Sequence, residues 1–213
     1  MVAPGMVGSA PPAHTVPPPR RPPDPSGQVR RWYEDGLGWA TVPGSPLRLA
    51  VGLRFDVLDV PEEAGRAALR HLRQDSPVAL QDGRMRFLVA ADSARELPGL
   101  LSWLEWGSLA LDLTAVGEGG VIDAPLPPAG PARRDPAPGA PRSGTAGPEP
   151  LQGAAVWLRP PEPGCEVEAS LPTLSALGGG GSAPDLVRLV ETVATHCHRI
   201  RLRRASAQPL AFS

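Results

Sequence analysis

The chain contains no lysine, and all 21 of its cationic side chains are arginine. Alongside abundant Ala, Gly and Pro, this is the composition bias of a GC-rich genome rather than selection for guanidinium chemistry. Net charge is also missing: the formal value of -1 supplies no overall field to draw nucleic acid in, so any basic footprint must be local. Cysteine is scarce. Cys165 and Cys197 are too few for a disulfide framework and fit a reducing cytosol. The first residues form no apolar h-region, so no signal peptide is expected. No run is long and apolar enough to span a membrane, which leaves the expectation of a soluble, cytoplasmic protein with no membrane partner. Phosphate-binding P-loops, nucleophile elbows and zinc-finger spacings are absent as well.

What is abundant is proline, at 29 residues, and glycine, at 24, so about a quarter of the chain favours turns or breaks helices. Residues 1–28 carry PPAHTVPPPRRPPDPSG, which cannot build helix or sheet ladders because proline lacks the amide donor. A disordered, partly polyproline-II tail is expected there. Within it Pro18, Pro19, Arg20 and Arg21 resemble a ligand for an SH3-like groove, so a protein partner through the Pro-rich segments is one reading and a tail of biased composition the other. A second Pro/Gly-rich stretch, 127–150, reads as a disordered insertion, and 205–213 as a C-terminal tail. The span 29–204 is then the candidate domain.

Within that span, Val29 to Tyr33 opens a short helix, and Trp39–Val42 and Leu47–Val51 are short apolar pieces around a Pro-Gly-Ser-Pro turn. Phe55 to Val60 has the length and β-branching of a buried strand. Pro61, Glu62 and Glu63 suit the first turn of a helix reaching about Arg73. Asp82-Gly83 signals a hairpin between Pro77–Leu80 and Met85–Ala90. Pro98 is expected to start another helix, followed by a strand pair, Leu109–Leu113 and Gly120–Ala124, then a strand at Ala154–Leu158. A last helix runs from about Pro184 to Arg201, with Ser182 as N-cap and Leu186, Val190, Val193 and Cys197 as its apolar stripe. The fold class expected is α+β, a mixed or antiparallel sheet with helices on one side.

Acidic residues on these strands are the candidates for chemistry, since carboxylates on one sheet are a common way to hold divalent metal. Side chains alternate along a strand, so Asp56 and Asp59 face opposite sides and cannot share an ion. A grip of two acids needs positions i and i+2, and two beyond Asp59 stands Pro61. Asp59 is therefore either a metal ligand or the cap of the helix beginning at Pro61. Asp112 precedes a glycine-rich turn, Gly117, Gly119 and Gly120, which would let backbone approach a phosphate closely. His196 and His198 do not share a helix face, so they form no metal cluster with Cys165 or Cys197. Arg199, Arg201, Arg203 and Arg204 make a basic helix end, either solvated or in contact with nucleic-acid phosphate. Trp103 and Trp106 suit a core or interface better than a base-stacking platform.

Three blocks occur in order: AVGLRFDVLDVP from Ala50 to Pro61, GRMRFLV from Gly83 to Val89, and Leu111-Asp-Leu113 followed by GEGGVIDAP from Gly117 to Pro125. In this order they resemble the N-terminal domain of bifunctional DNA primase-polymerases, of the archaeo-eukaryotic primase superfamily, and in particular its small stand-alone actinobacterial members. The blocks match the family's "VLDVD"-type, "GGRHLYF"-type and "DIRGDGGYVVAPP"-type strands, and Trp157 stands where the family often has tryptophan. The resemblance spans roughly residues 29 to 160 and implies a primase-polymerase-like fold. It further implies metal binding by two acids of the first block and one of the third, with a histidine of the second on the nucleotide phosphates. Asp59 matches the first acid and Asp112 the third, but the second falls on Pro61 and the histidine on Met85 or Arg86. Arg86 could still meet a phosphate.

The expectation is a degenerate, non-catalytic member that binds nucleotide, nucleic acid or a protein partner, with no assured cofactor. One alternative is an active nucleotidyltransferase using Mg or Mn on Asp59 and Asp112, helped by Asp56 or Asp123. A Pro-rich interaction protein is the second.

Overall fold

The computed structural model describes residues 25–128, 153–174 and 184–207. Ser182, the SH3-like motif, and nearly all of the expected tail and insertion lie outside them. The first described element is α1, Pro25–Arg31, continued by a π-helical turn over Trp32–Gly36. The boundary expected at residue 28 therefore falls inside a helix.

Phe55–Pro61 forms β3, the second strand of a five-stranded sheet. Its pattern is buried on both faces, as its length and β-branching predict. On one side it pairs antiparallel with β5 (Arg84–Ala90), on the other with β6 (Thr114–Val116). β5 is joined to β4 (Val78–Gln81) through Asp82 and Gly83, whose φ values of 50° and 71° are the doubly left-handed backbone of a two-residue hairpin. β8, Val156–Arg159, closes the far edge, giving the order β6-β3-β5-β4-β8 with every pairing antiparallel. The expected α+β class is the one observed.

One face of this sheet carries α2 (Glu62–Ala68), α3 (Ser93–Trp103) and the 21-residue α4 (Leu186–Ser206), while α1 and its π-helical turn pack on the other, so the helices are not confined to one side as expected. Leu58, Val60, Met85, Phe87 and Val89 pack on the first face against α2, α3 and α4. The stripe of Leu186, Val190, Val193 and Cys197 lies in that core as the 3.6-residue period requires. On the opposite face, Phe55, Val57 and Leu88 meet Tyr33 and Trp39 together with Leu49 and Ile122. The last two belong to a second, three-stranded sheet of β1 (Thr41–Val42), β2 (Arg48–Ala50) and β7 (Val121–Asp123). Tyr33 ties this layer together: its hydroxyl donates to the Pro125 carbonyl at 2.5 Å and accepts from Trp157 Nε1 at 3.1 Å. Burial pushes that phenol above its ordinary range.

Four further expectations need correction. Leu109–Leu113 is not a strand; strand geometry begins at Thr114. Side chains of α4 supply donors to this segment's carbonyls instead, Arg201 to Ala110 at 2.9 Å and Cys197 to Asp112 at 3.4 Å. The expected second hairpin is split, because β6 joins the large sheet and β7 the small one. α3 begins at Ser93, five residues before Pro98, which sits inside the helix. Finally, α4 is capped by Asp185, which accepts from Val187 and Arg188 amides, and it continues to Ser206, past the boundary expected at 205.

Candidate functional site

The β3–β5 register sets Asp59 opposite Arg86 and Pro61 opposite Arg84. All four face away from the helices, beyond the stretch covered by the small sheet. The β3–β6 register pairs Asp59 with Thr114, so Asp112 stands where β6 would continue alongside Pro61. Asp59 and Asp112 are thus brought to one corner of the sheet. Between them lies Arg84.

Arg84 Nε donates to Asp59 Oδ1 at 2.5 Å, its Nη2 to the Asp59 carbonyl at 3.2 Å, and its Nη1 to Asp112 Oδ1. Arg86 Nε takes the other Asp59 oxygen at 2.9 Å and passes Nη1 to Gln81 Oε1. Gln81 in turn donates to Asp123 Oδ2 at 2.8 Å and to the Gly153 carbonyl at 3.0 Å. The result is an alternating ladder across the sheet, Asp112–Arg84–Asp59–Arg86–Gln81–Asp123. Both Asp59 oxygens are occupied by guanidinium, and the fork geometry of arginine fits carboxylates closely. Burial works to weaken Arg84's charge, but hydrogen bonds to Asp112 and Asp59 outweigh it and hold the guanidinium above its ordinary pKa.

This arrangement does not fit a divalent metal. The two acids that would bind one each hold an arginine, and the third corner is Pro61. Among the described residues no group of three or more His, Cys, Asp or Glu side chains converges as a metal site. Nor does Asp59 cap α2, whose N-cap Pro61 makes no side-chain bond.

Asp56 faces the other way, as strand alternation requires. It is 1 % exposed, and its Oδ2 accepts from the Ala94 amide at 2.8 Å in the first turn of α3. A residue on β3 thus caps a helix 38 positions away while Asp92, the local N-cap, makes no such bond. Its Oδ1 is buried without a partner. Burial raises its pKa, the Ala94 amide works against that rise, and nearby Asp92 adds to it while Arg95 opposes it.

The glycine-rich turn follows the same economy of space. The Gly120 amide donates to the Gly117 carbonyl at 2.9 Å, and Gly119 between them has φ of 76°, a conformation that favours glycine. A Cβ on Gly117 would stand 2.8 Å from the Ala94 methyl, beside the Asp56 carboxylate. These glycines let the chain cross from one sheet to the other against α3.

His198 lies on the Trp106 side of α4, with ring centroids 5.8 Å apart, whereas His196 faces α2. Cys197 is buried between them, and Cys165 is exposed. Trp103 is 69 % exposed on α3. Arg84 and Gln81, central to the ladder, were not singled out in the sequence. The signal for Arg84 is Arg84-Met-Arg86, two cations at the same i, i+2 spacing that a carboxylate grip would need; Gln81 carries none. In comparisons with family models, characterised proteins and solved structures, nothing matches the chain. No described helix is long and apolar enough to cross a membrane.

Proposed function

We propose that this protein is a primase-polymerase-like domain that has exchanged nucleotidyl transfer for binding. The observation that carries the reading is the double clasp on Asp59 by Arg84 and Arg86, with Arg84 extended to Asp112. A two-metal site works by concentrating negative charge that only cations can relieve. Here two covalently attached cations relieve it. The three acids of the ladder, Asp59, Asp112 and Asp123, are opposed by two arginines in contact with them or with Gln81. A metal ion would have to displace two ion pairs, one on each carboxylate oxygen, to reach Asp59. The ordered blocks around Asp59, Arg86 and Asp112, placed on adjacent antiparallel strands and their extension, support the primase-polymerase-like part of the reading.

The test is primer synthesis and extension with Mg²⁺ or Mn²⁺, alongside titration of Mn²⁺ against the full chain. No incorporation and no saturable Mn²⁺ binding are expected. Incorporation that is lost in Asp59→Ala and Asp112→Ala would reinstate an active nucleotidyltransferase.

A further inference from the structure

The helix-bearing face holds a second concentration of polar chemistry, where α4 runs along α2 and the 3-10 turn that follows it, Leu69–His71. Four side chains of α4, Thr192, Thr195, His196 and Arg199, line a concavity of about 250 Å³, and Arg70 closes it from the 3-10 turn. Glu191 is the one acid at its rim. His196 and Arg199 also line a neighbouring groove of about 500 Å³ that continues towards Glu63 and Arg203.

The charges here divide unevenly. Glu62 is taken by Arg66, and Glu63 by Arg203. Arg70 and Arg199 have neither an ion pair nor a hydrogen bond among the described residues, so Glu191 offsets only one of two open guanidinium groups. Thr192 Oγ1 lies 2.9 Å from His71 Nε2, which fixes the hydroxyl at the wall of the concavity. His71 itself reports the local field. Burial lowers its pKa, and the positive charges of Arg70 and Arg188 lower it further, against smaller opposing effects of Asp185 and Glu191.

We infer that this concavity between α4 and the 3-10 turn binds a phosphoryl group, held by Arg70 and Arg199 with hydroxyl and imidazole donors from Thr192, Thr195 and His196. The chemistry is that of a compact, multiply charged oxyanion: forked cationic donors from two elements and short neutral donors between them. A carboxylate would satisfy one arginine; the convergence of two, with hydroxyls beside them, suits an anion with three or four oxygens. The site is independent of the ladder on the opposite face and does not depend on its reading. Phosphoryl groups arrive either on free phosphate and pyrophosphate or along a nucleic-acid backbone, and the adjoining groove with Arg203 offers the latter a path.

The full chain would be titrated by calorimetry with inorganic phosphate and with pyrophosphate, and by fluorescence anisotropy with a short fluorescein-labelled single-stranded oligonucleotide. The variant is the pair Arg70→Gln and Arg199→Gln, both exposed positions whose replacement spares the core, with exposed Arg48→Gln on the small sheet as control. Loss of two charge-assisted contacts should weaken binding about tenfold or more, and for the single-stranded oligonucleotide it should also lower the salt slope by about 1.4. Saturable phosphate or pyrophosphate binding with that loss supports a free phosphoryl ligand. Binding of the oligonucleotide alone, with the same loss, supports a nucleic-acid source. Binding of none of the three probes, or equal affinity in the paired variant, or equal loss in Arg48→Gln, would overturn the inference.

Discussion

Arg84→Ala tests the ladder most directly. The wild-type side chain donates to three acceptors, two on Asp59 and one on Asp112. A hydrogen bond to a charged group contributes about 1.5–3 kcal/mol net when shielded. The Arg84 and Asp59 side chains are 28 % and 15 % exposed, so that arm keeps much of this value. Asp112 is 46 % exposed, and its arm falls to the surface range of about 0–1 kcal/mol. Asp59 also retains Arg86, which limits the damage. The expected cost is therefore about 2–3 kcal/mol, or a fall of roughly 4–12 °C in melting temperature for a domain of this size. Urea denaturation at 25 °C, followed by circular dichroism, gives the free energies, and a double-mutant cycle with Asp59→Ala isolates the pair. A coupling of about 1–2 kcal/mol, shrinking as salt is raised, is expected. Coupling within about 0.5 kcal/mol of zero would refute the claim that Arg84 neutralises Asp59, because such a value is no more than additivity error.

Three further outcomes follow from the same structure. Asp56 binds its proton more tightly folded than unfolded, so its contribution to stability should fall as pH rises from the ordinary value of 3.8 through its raised folded pKa; the stability of wild type relative to Asp56→Asn should drop across that window in urea titrations, and a parallel pair of pH profiles would contradict the buried-cap account. Cys197, buried with its thiol pushed up to about 11, should resist iodoacetamide at pH 8 while exposed Cys165 alkylates, so mass spectrometry of the native protein should find one adduct and of the unfolded protein two. Gly117→Ala forces a methyl to within 2.8 Å of Ala94 and should destabilise the fold by about 1–3 kcal/mol in thermal unfolding, with near-neutral behaviour counting against the close packing of this turn on α3.

The elements whose signals are local were the legible ones. The Asp82-Gly83 hairpin needs only two residues with positive φ, and both are there. The buried strand ending at Pro61 and the period of α4 likewise declare themselves within a few residues. What escaped was set by distant partners. Pro98 looked like a helix start, but the helix begins at Ser93, where an amide is held by Asp56 on another strand. Leu109–Leu113 had strand composition, yet its carbonyls are engaged by Arg201 and Cys197, about 90 residues later in the chain. At the candidate site, Asp59 and Asp112 were each legible as acids beside strand or turn signals. The arginine between them was not, because which β5 residues face Asp59 depends on a pairing register that no single strand encodes.

The ladder has a consequence for how the molecule meets its surroundings. A coordinated ion is exchangeable: it leaves on dilution, yields to chelators and is replaced by whatever competitor is abundant. The cations on Asp59 are part of the chain itself, so their local concentration is fixed by the β3–β5 pairing rather than by supply. The geometry of this corner should accordingly be indifferent to metal starvation and to EDTA, and it is renewed with every copy of the protein that folds.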